Sequence, residues 1–163
     1  MCINSGNVLP DYLIRRNMNF FKLSEAASIA LHSCIYLSRN TDRTVTSQEI
    51  SQTLHSSKDH TDKVMQRLTK AGVIKTKRGP AGGYQLAKDL DKLSMLEVYE
   101  AIEGDISQVE CPLNMAFCGG HGCIMGDLFV SIQNQVRDYL ENTSMQKLSE
   151  SVWIGGVKWQ SEK

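Results

Sequence analysis

No stretch of this 163-residue chain is apolar for long enough to cross a bilayer, and no charged start followed by an apolar core marks a secretion signal. A Ser-His-Asp set, a convergent carboxylate pair and a nucleotide fingerprint are missing, so enzyme activity is not expected. The five cysteines are odd in number, which argues against an extracellular disulfide scaffold and favours a reducing cytoplasm. No two of them are separated by two residues, so the pair spacing of a zinc knuckle or thioredoxin motif is absent. Internal repeats and low-complexity tracts are lacking too. The length suits one domain plus an extra element, with a real core.

Net charge is also absent, which taken alone argues weakly against a nucleic-acid partner. Its distribution reverses that impression. Residues 58–92 hold nine Lys/Arg against four Asp/Glu, residues 93–163 hold four against ten, and residues 1–57 hold five against four. A basic centre followed by an acidic third fits a DNA-facing segment joined to a separate functional arm.

What is present in quantity is local. Cys111, Cys118 and Cys123 crowd into CPLNMAFCGGHGC, beside glycines and His121. Thiolates gathered on a loop suit a soft metal or an iron–sulfur cluster better than packing. Structural zinc, a disulfide and inert thiols are the alternatives. Three thiolates fill three corners of such a site, so another residue must complete it. Gly119, Gly120, Gly122 and Gly126 let the backbone wrap a bulky group. Cys34, on the apolar face of a predicted helix, is expected in the core, and Cys2 has no expected role.

The remaining patterns predict a mainly α protein with a small β-hairpin. Residues 1–19 form a loose extension with a helical turn near Tyr12–Arg16, and Met18 would make a natural start. Ser24 caps a helix to Ser38, whose inner face is Ala27, Ala30, Leu31, Cys34 and Ile35. Thr46 and Glu49 form a capping box, with Val45 and Ile50 stapled across it, and His55-Ser56-Ser57 breaks the helix they start. A third helix, Lys58–Ala71, buries Val64, Leu68 and Met65 and ends at Gly72. Two short helices with an exposed polar second member suggest a helix-turn-helix. Strands at 73–76 and 84–86 around Arg78–Gly83 make a basic hairpin, the wing. Another capping box, Ser94 with Glu97, opens a helix ending at Gly104. The cysteine loop follows, then a long helix, Ile124–Glu141, with a stripe of Leu128, Ile132, Gln135 or Val136, and Tyr139, and with Phe129 and Leu140 beside it. It has no obvious partner in so small a domain, so dimerisation along that stripe is expected rather than folding back. Thr143 caps a last helix through Leu148. The domain division is an extension at 1–19, a winged helix-turn-helix at 20–92, a helix and cysteine loop at 93–123, dimerisation and short helices at 124–148, and a tail at 149–163.

The helix at 23–38, the wing RGPAGGYQLA, the following LSMLEVYEAIEG and the three cysteines together resemble the IscR/NsrR group of bacterial winged-helix iron–sulfur regulators. The resemblance covers about residues 20–148. It implies a cytoplasmic homodimer that binds palindromic promoter DNA, by default as a repressor. It also implies a 2Fe-2S or 4Fe-4S cluster that senses nitric oxide, redox state or cluster supply. The six-and-four cysteine spacing departs from the family pattern. The family takes its remaining ligand from an acidic residue of the first helix or from a histidine. Here the acidic position falls at Ser28, a poor ligand, and Glu25, His32 or His121 would substitute.

For DNA, the expected contacts are Ser57, Lys58, His60, Thr61 and Lys63 in the groove and Arg67 nearer the backbone. Lys77 and Arg78 at the wing tip would reach the backbone or minor groove. Two other functions compete: the same fold using zinc or a cysteine thiol switch, and an iron–sulfur carrier or electron-transfer protein.

Overall fold

Ser24 starts the first helix as predicted. In the computed structural model, which describes residues 23–79, 82–106 and 128–151, its hydroxyl accepts the Ala27 N–H at 3.1 Å, opening α1 (Glu25–Ser38). That bond satisfies an amide the helix itself leaves unpaired. The expectations for residues 1–19, Cys111, Cys118, Cys123, His121, Ile124 and the two tryptophans lie outside the described residues.

All five residues of the expected inner face of α1 are buried, but so are Ile29, Ser33 and Leu37. A helix apolar around most of its circumference belongs at the centre of a domain. The other elements are built around it.

Thr46 begins α2 (Ser47–Thr53), and its hydroxyl accepts the Glu49 N–H at 3.2 Å. The returning arm of the expected capping box is not made. Arg43 donates to the two Glu49 oxygens at 2.9 and 2.5 Å, and the Tyr36 hydroxyl donates at 2.8 Å. A charged bidentate partner outcompetes a local backbone amide. The Arg43 guanidinium accordingly holds the Glu49 carboxyl below its usual range.

The turn to α3 (Lys58–Lys70) is closed by His55 at φ +52°. Ser56 N–H bonds Ser51 O at 2.9 Å and His55 N–H bonds Gln52 O at 3.4 Å, the paired pattern usually built on glycine. The end of α3 repeats it with glycine: Val73 N–H reaches Leu68 O at 3.0 Å and Gly72 N–H reaches Thr69 O at 3.1 Å. Val64, Met65 and Leu68 point into the core as expected.

Strands β1 (Ile74–Lys77) and β2 (Gly83–Leu86) pair antiparallel, Ile74 opposite Leu86 and Lys77 opposite Gly83. Val45 joins this hairpin to α2 through Val45 N–H to Tyr84 O, 3.1 Å, and Tyr84 N–H to Val45 O, 2.8 Å. The wing is therefore held to the body near its turn, at the second strand pair from the loop.

Helix α4 (Met95–Glu103) has both arms of its capping box, Ser94 with Glu97, and ends at Gly104. It packs most extensively on α1 and also on α3. Helix α5 (Leu128–Glu141) corrects one expectation. It does have a partner inside the chain. Leu140 is buried, Val136 packs on the core, and Arg137 meets Glu100 of α4 at 3.2 Å. Of the predicted stripe, Leu128 and Tyr139 stay exposed, at 48% and 64%, together with Val130.

Helix α6 (Met145–Ser151) is capped by Ser144, whose hydroxyl accepts the Lys147 N–H at 3.3 Å. The expected cap, Thr143, is buried instead, and its carbonyl accepts the Met95 N–H at 2.9 Å. Met145 is fully buried and its N–H bonds Leu93 O at 2.7 Å. One hydrophobic cluster thus takes residues from Ala27 through Met145.

Candidate DNA interface and metal ligands

Ser57 caps α3 and stays exposed; its hydroxyl accepts the His60 N–H at 3.1 Å. The outward face of α3 is then Lys58, Asp59, Lys63, Gln66, Arg67 and Lys70, all exposed. Lys58 lies 2.6 Å from Asp62, one turn on, and this pair, with Ser47, lowers the Asp62 carboxyl from its ordinary value. Lys63 and Lys70 make no ion pair among the described residues.

Lys77 and Arg78 at the end of β1 are exposed and likewise unpaired among the described residues. Tyr84, opposite Thr76 in β2, is half-buried; burial first, then the Asp62 charge, pushes its phenol upward. The wing and α3 are thus close enough to share an electrostatic environment. Free cations on two adjacent elements are what phosphate binding requires.

One expected contact is corrected. Thr61 is fully buried, and its hydroxyl donates to Ser57 O at 3.0 Å and meets the Ser56 hydroxyl at 2.8 Å. It shares the inner stripe of Val64, Met65 and Leu68, a spacing that already pointed inward. Arg67 is exposed, and its guanidinium donates to the Ile102 carbonyl of α4. His60 occupies the same flank, with Nδ1 3.7 Å from the Glu25 carboxylate. Gln66 and Lys70 were missed by sequence reasoning, although their i+3 and i+7 spacing from Lys63 placed them on its face.

The metal-ligand candidates of the first helix, Glu25, Ser28 and His32, share one face of α1. Glu25 is largely exposed. His32 Nδ1 lies 2.7 Å from the Ser28 carbonyl. A carbonyl only accepts, so Nδ1 donates this bond and Nε2 is the nitrogen left for a metal. That is the arrangement in which a histidine serves a metal. Among the described residues no three His, Cys, Asp or Glu side chains gather to hold an ion. Cys34 is buried, and burial pushes its thiol up to about 12, which removes it as a thiolate donor.

An anchored hairpin, a capped helix with an exposed cationic face, and a helical support define a winged helix-turn-helix protein. Residues 23–151 match the family model Rrf2, an iron-dependent transcriptional regulator, and the chain belongs to that family. An HTH-type transcriptional regulator of Aquifex aeolicus (strain VF5) is 31% identical over 129 residues, covering 77% of this chain and 89% of the relative. The HTH-type transcriptional regulator IscR of Yersinia pseudotuberculosis serotype O:1b (strain IP 31758) is 25% identical over 128 residues, covering 78% and 74%. The structure of CymR, the global cysteine regulator of B. subtilis, is similar with a TM-score of 0.68 at 24% identity, covering 81% of this chain and 98% of that one. That last likeness shows the fold. The relatives named are transcription regulators, not enzymes, and no described helix is long and apolar enough to cross a membrane.

Proposed function

We propose that this chain is a cytoplasmic, homodimeric regulator, by default a repressor, whose promoter affinity is set by an iron–sulfur cluster. The observation that carries the reading is the placement of three closely spaced cysteines, Cys111, Cys118 and Cys123, between α4 and α5 of a winged helix-turn-helix chain. Such a thiol set fits a cluster that lacks one ligand. His32, whose ring is held by the Nδ1 bond to the Ser28 carbonyl, and Glu25 are the favoured completing residues; Ser28 and His121 are the others. When bound, a cluster with a weak fourth ligand supplies an iron open to nitric oxide or oxidants.

The chain's own residues do the rest. Ser57, Lys58, Lys63, Lys77 and Arg78 bind the promoter, with the α3 amino terminus aimed at phosphate. Leu128 and Tyr139, on one face of α5, offer an apolar stripe to a second copy, which would place two α3 helices about one DNA turn, roughly 34 Å, apart. The CymR-like fold is compatible with a thiol switch using the same cysteines, so the test must separate the two.

The experiment is oxygen-free purification with visible spectroscopy and iron analysis, then promoter binding before and after nitric oxide. Colour with iron is expected, lost on Cys118→Ala and altered by His32→Ala, with DNA affinity changing on nitric oxide. A colourless zinc-bound or metal-free protein that responds to thiol oxidants would replace this reading with the switch. Transfer of the cluster to an apo-ferredoxin, with no promoter binding, would make the chain a carrier.

A further inference from the structure

The carboxyl end of α4 is held from several sides. The Ser24 hydroxyl donates to Glu103, and the Gln133 amide of α5 donates to the Ile106 carbonyl. The Glu100 carboxylate accepts from Arg137 at 3.2 Å and from the Ile106 N–H at 3.4 Å, while Arg137 also lies 3.7 Å from Asp105. Arg67 adds the contact from α3, donating to Ile102 O, a last-turn carbonyl with no helical partner of its own. A planar guanidinium can hold such a carbonyl while its stem lies along the helix, which a lysine ammonium reproduces poorly.

We propose that Arg67 is a positioning residue of DNA recognition. It ties α3 to the carboxyl end of α4 and fixes the angle at which α3 enters the groove, and it makes no phosphate contact. A basic residue on a DNA-reading helix ordinarily adds to the electrostatic term. Here one donor of the guanidinium is committed to the Ile102 carbonyl, although Arg67 is exposed and lies one turn from Lys63. The proposal rests on α3 being the recognition helix.

The test uses the full chain and two probes: a duplex enriched by the wild-type protein from a random-sequence library, and a fixed duplex of unrelated sequence. Affinity is measured against salt concentration for Lys63→Gln, Arg67→Gln and Arg67→Lys. Lys63→Gln should reduce the salt slope by about 0.9 on both probes. Both Arg67 variants should keep the wild-type slope and the affinity for unrelated DNA. They should lose roughly five- to a hundredfold on the enriched duplex, the range set by one misplaced base contact. Amide exchange at Gly104 and Ile106 should quicken in both.

A slope reduced by about 0.9 in Arg67→Gln and restored in Arg67→Lys overturns the proposal, because the residue then acts as a phosphate-binding charge. Unchanged affinity for the enriched duplex overturns it as well. Should Arg67→Gln fail to fold, Arg67→Lys decides alone by the same two readings. An unchanged slope in Lys63→Gln instead removes α3 as the recognition helix, a separate failure.

Discussion

Gly83 packs β2 closely against Thr44 and Val45, and replacing it with alanine tests whether that contact positions Lys77 and Arg78, the wing cations proposed for DNA. A Cβ built there lies 2.7 Å from the Val45 carbonyl oxygen, 3.0 Å from its carbon and 3.1 Å from Thr44 Cβ. None of these is the end of a flexible side chain, so β2 must move away. The move breaks the two hydrogen bonds between Val45 and Tyr84, each worth about 0.5–1.5 kcal/mol net, for a loss of about 1–3 kcal/mol. At about 2–4 °C per kcal/mol for a chain of this size, Tm should drop by about 2–12 °C. Lys77, opposite Gly83, and Arg78 shift with the strand. If both leave phosphate, the slope of log affinity against log salt drops by about 1.8. Gly72→Ala is the control. Gly72 has φ +73°, but nothing lies within 4 Å of the added carbon. Its cost is backbone strain alone, about 1–2 kcal/mol, with the wing undisturbed. Thermal unfolding and salt-dependent fluorescence anisotropy measure both variants. Equal salt slopes for Gly83→Ala and wild type would refute the reasoning.

Two further outcomes are expected. Met145 is fully buried in the cluster shared with α1 and α4, so Met145→Ala should cost about 2–5 kcal/mol. Denaturation should still show one transition by fluorescence and circular dichroism; two transitions would mean that the C-terminal helices fold apart from the winged part. For Cys34, burial raises the thiol from 9.0 to about 12. The unfolded chain therefore gives up this proton first, so the associated stability is complete below about pH 9 and lost as pH rises through the folded value. Stability against pH should fall more steeply above that point in wild type than in Cys34→Ala, and parallel curves would contradict it.

Local chemistry was the legible part of this fold. Ser24, Ser94 with Glu97, and Gly72 act within a few residues of themselves, and each terminates or starts its helix as its residue type dictates. The Thr46–Glu49 box failed by half because a third party, Arg43, offers the carboxylate a stronger partner than its own backbone. The cap moved from Thr143 to Ser144 for a similar reason. Thr143 is committed to α4 through its carbonyl, which leaves the next residue at the helix start. His55 closes the α2–α3 turn without the glycine that would have announced it.

The site divides along the same line. Helical spacing alone identified Lys58 and Lys63 as outward, and applied consistently it would have rejected Thr61 and added Gln66 and Lys70. Spacing gives a face, not a neighbour. Nothing within α3 says that the flank of His60 and Arg67 looks onto Glu25 and Ile102, residues 35 positions away in either direction. Those two contacts reach the start of α1 and the end of α4. The first carries candidate ligands Glu25, Ser28 and His32, and the second leads into the cysteine stretch. A change at either place therefore has a short covalent and hydrogen-bonded route to α3; the proposed sensor also requires that this junction have two arrangements, which both sites would bias.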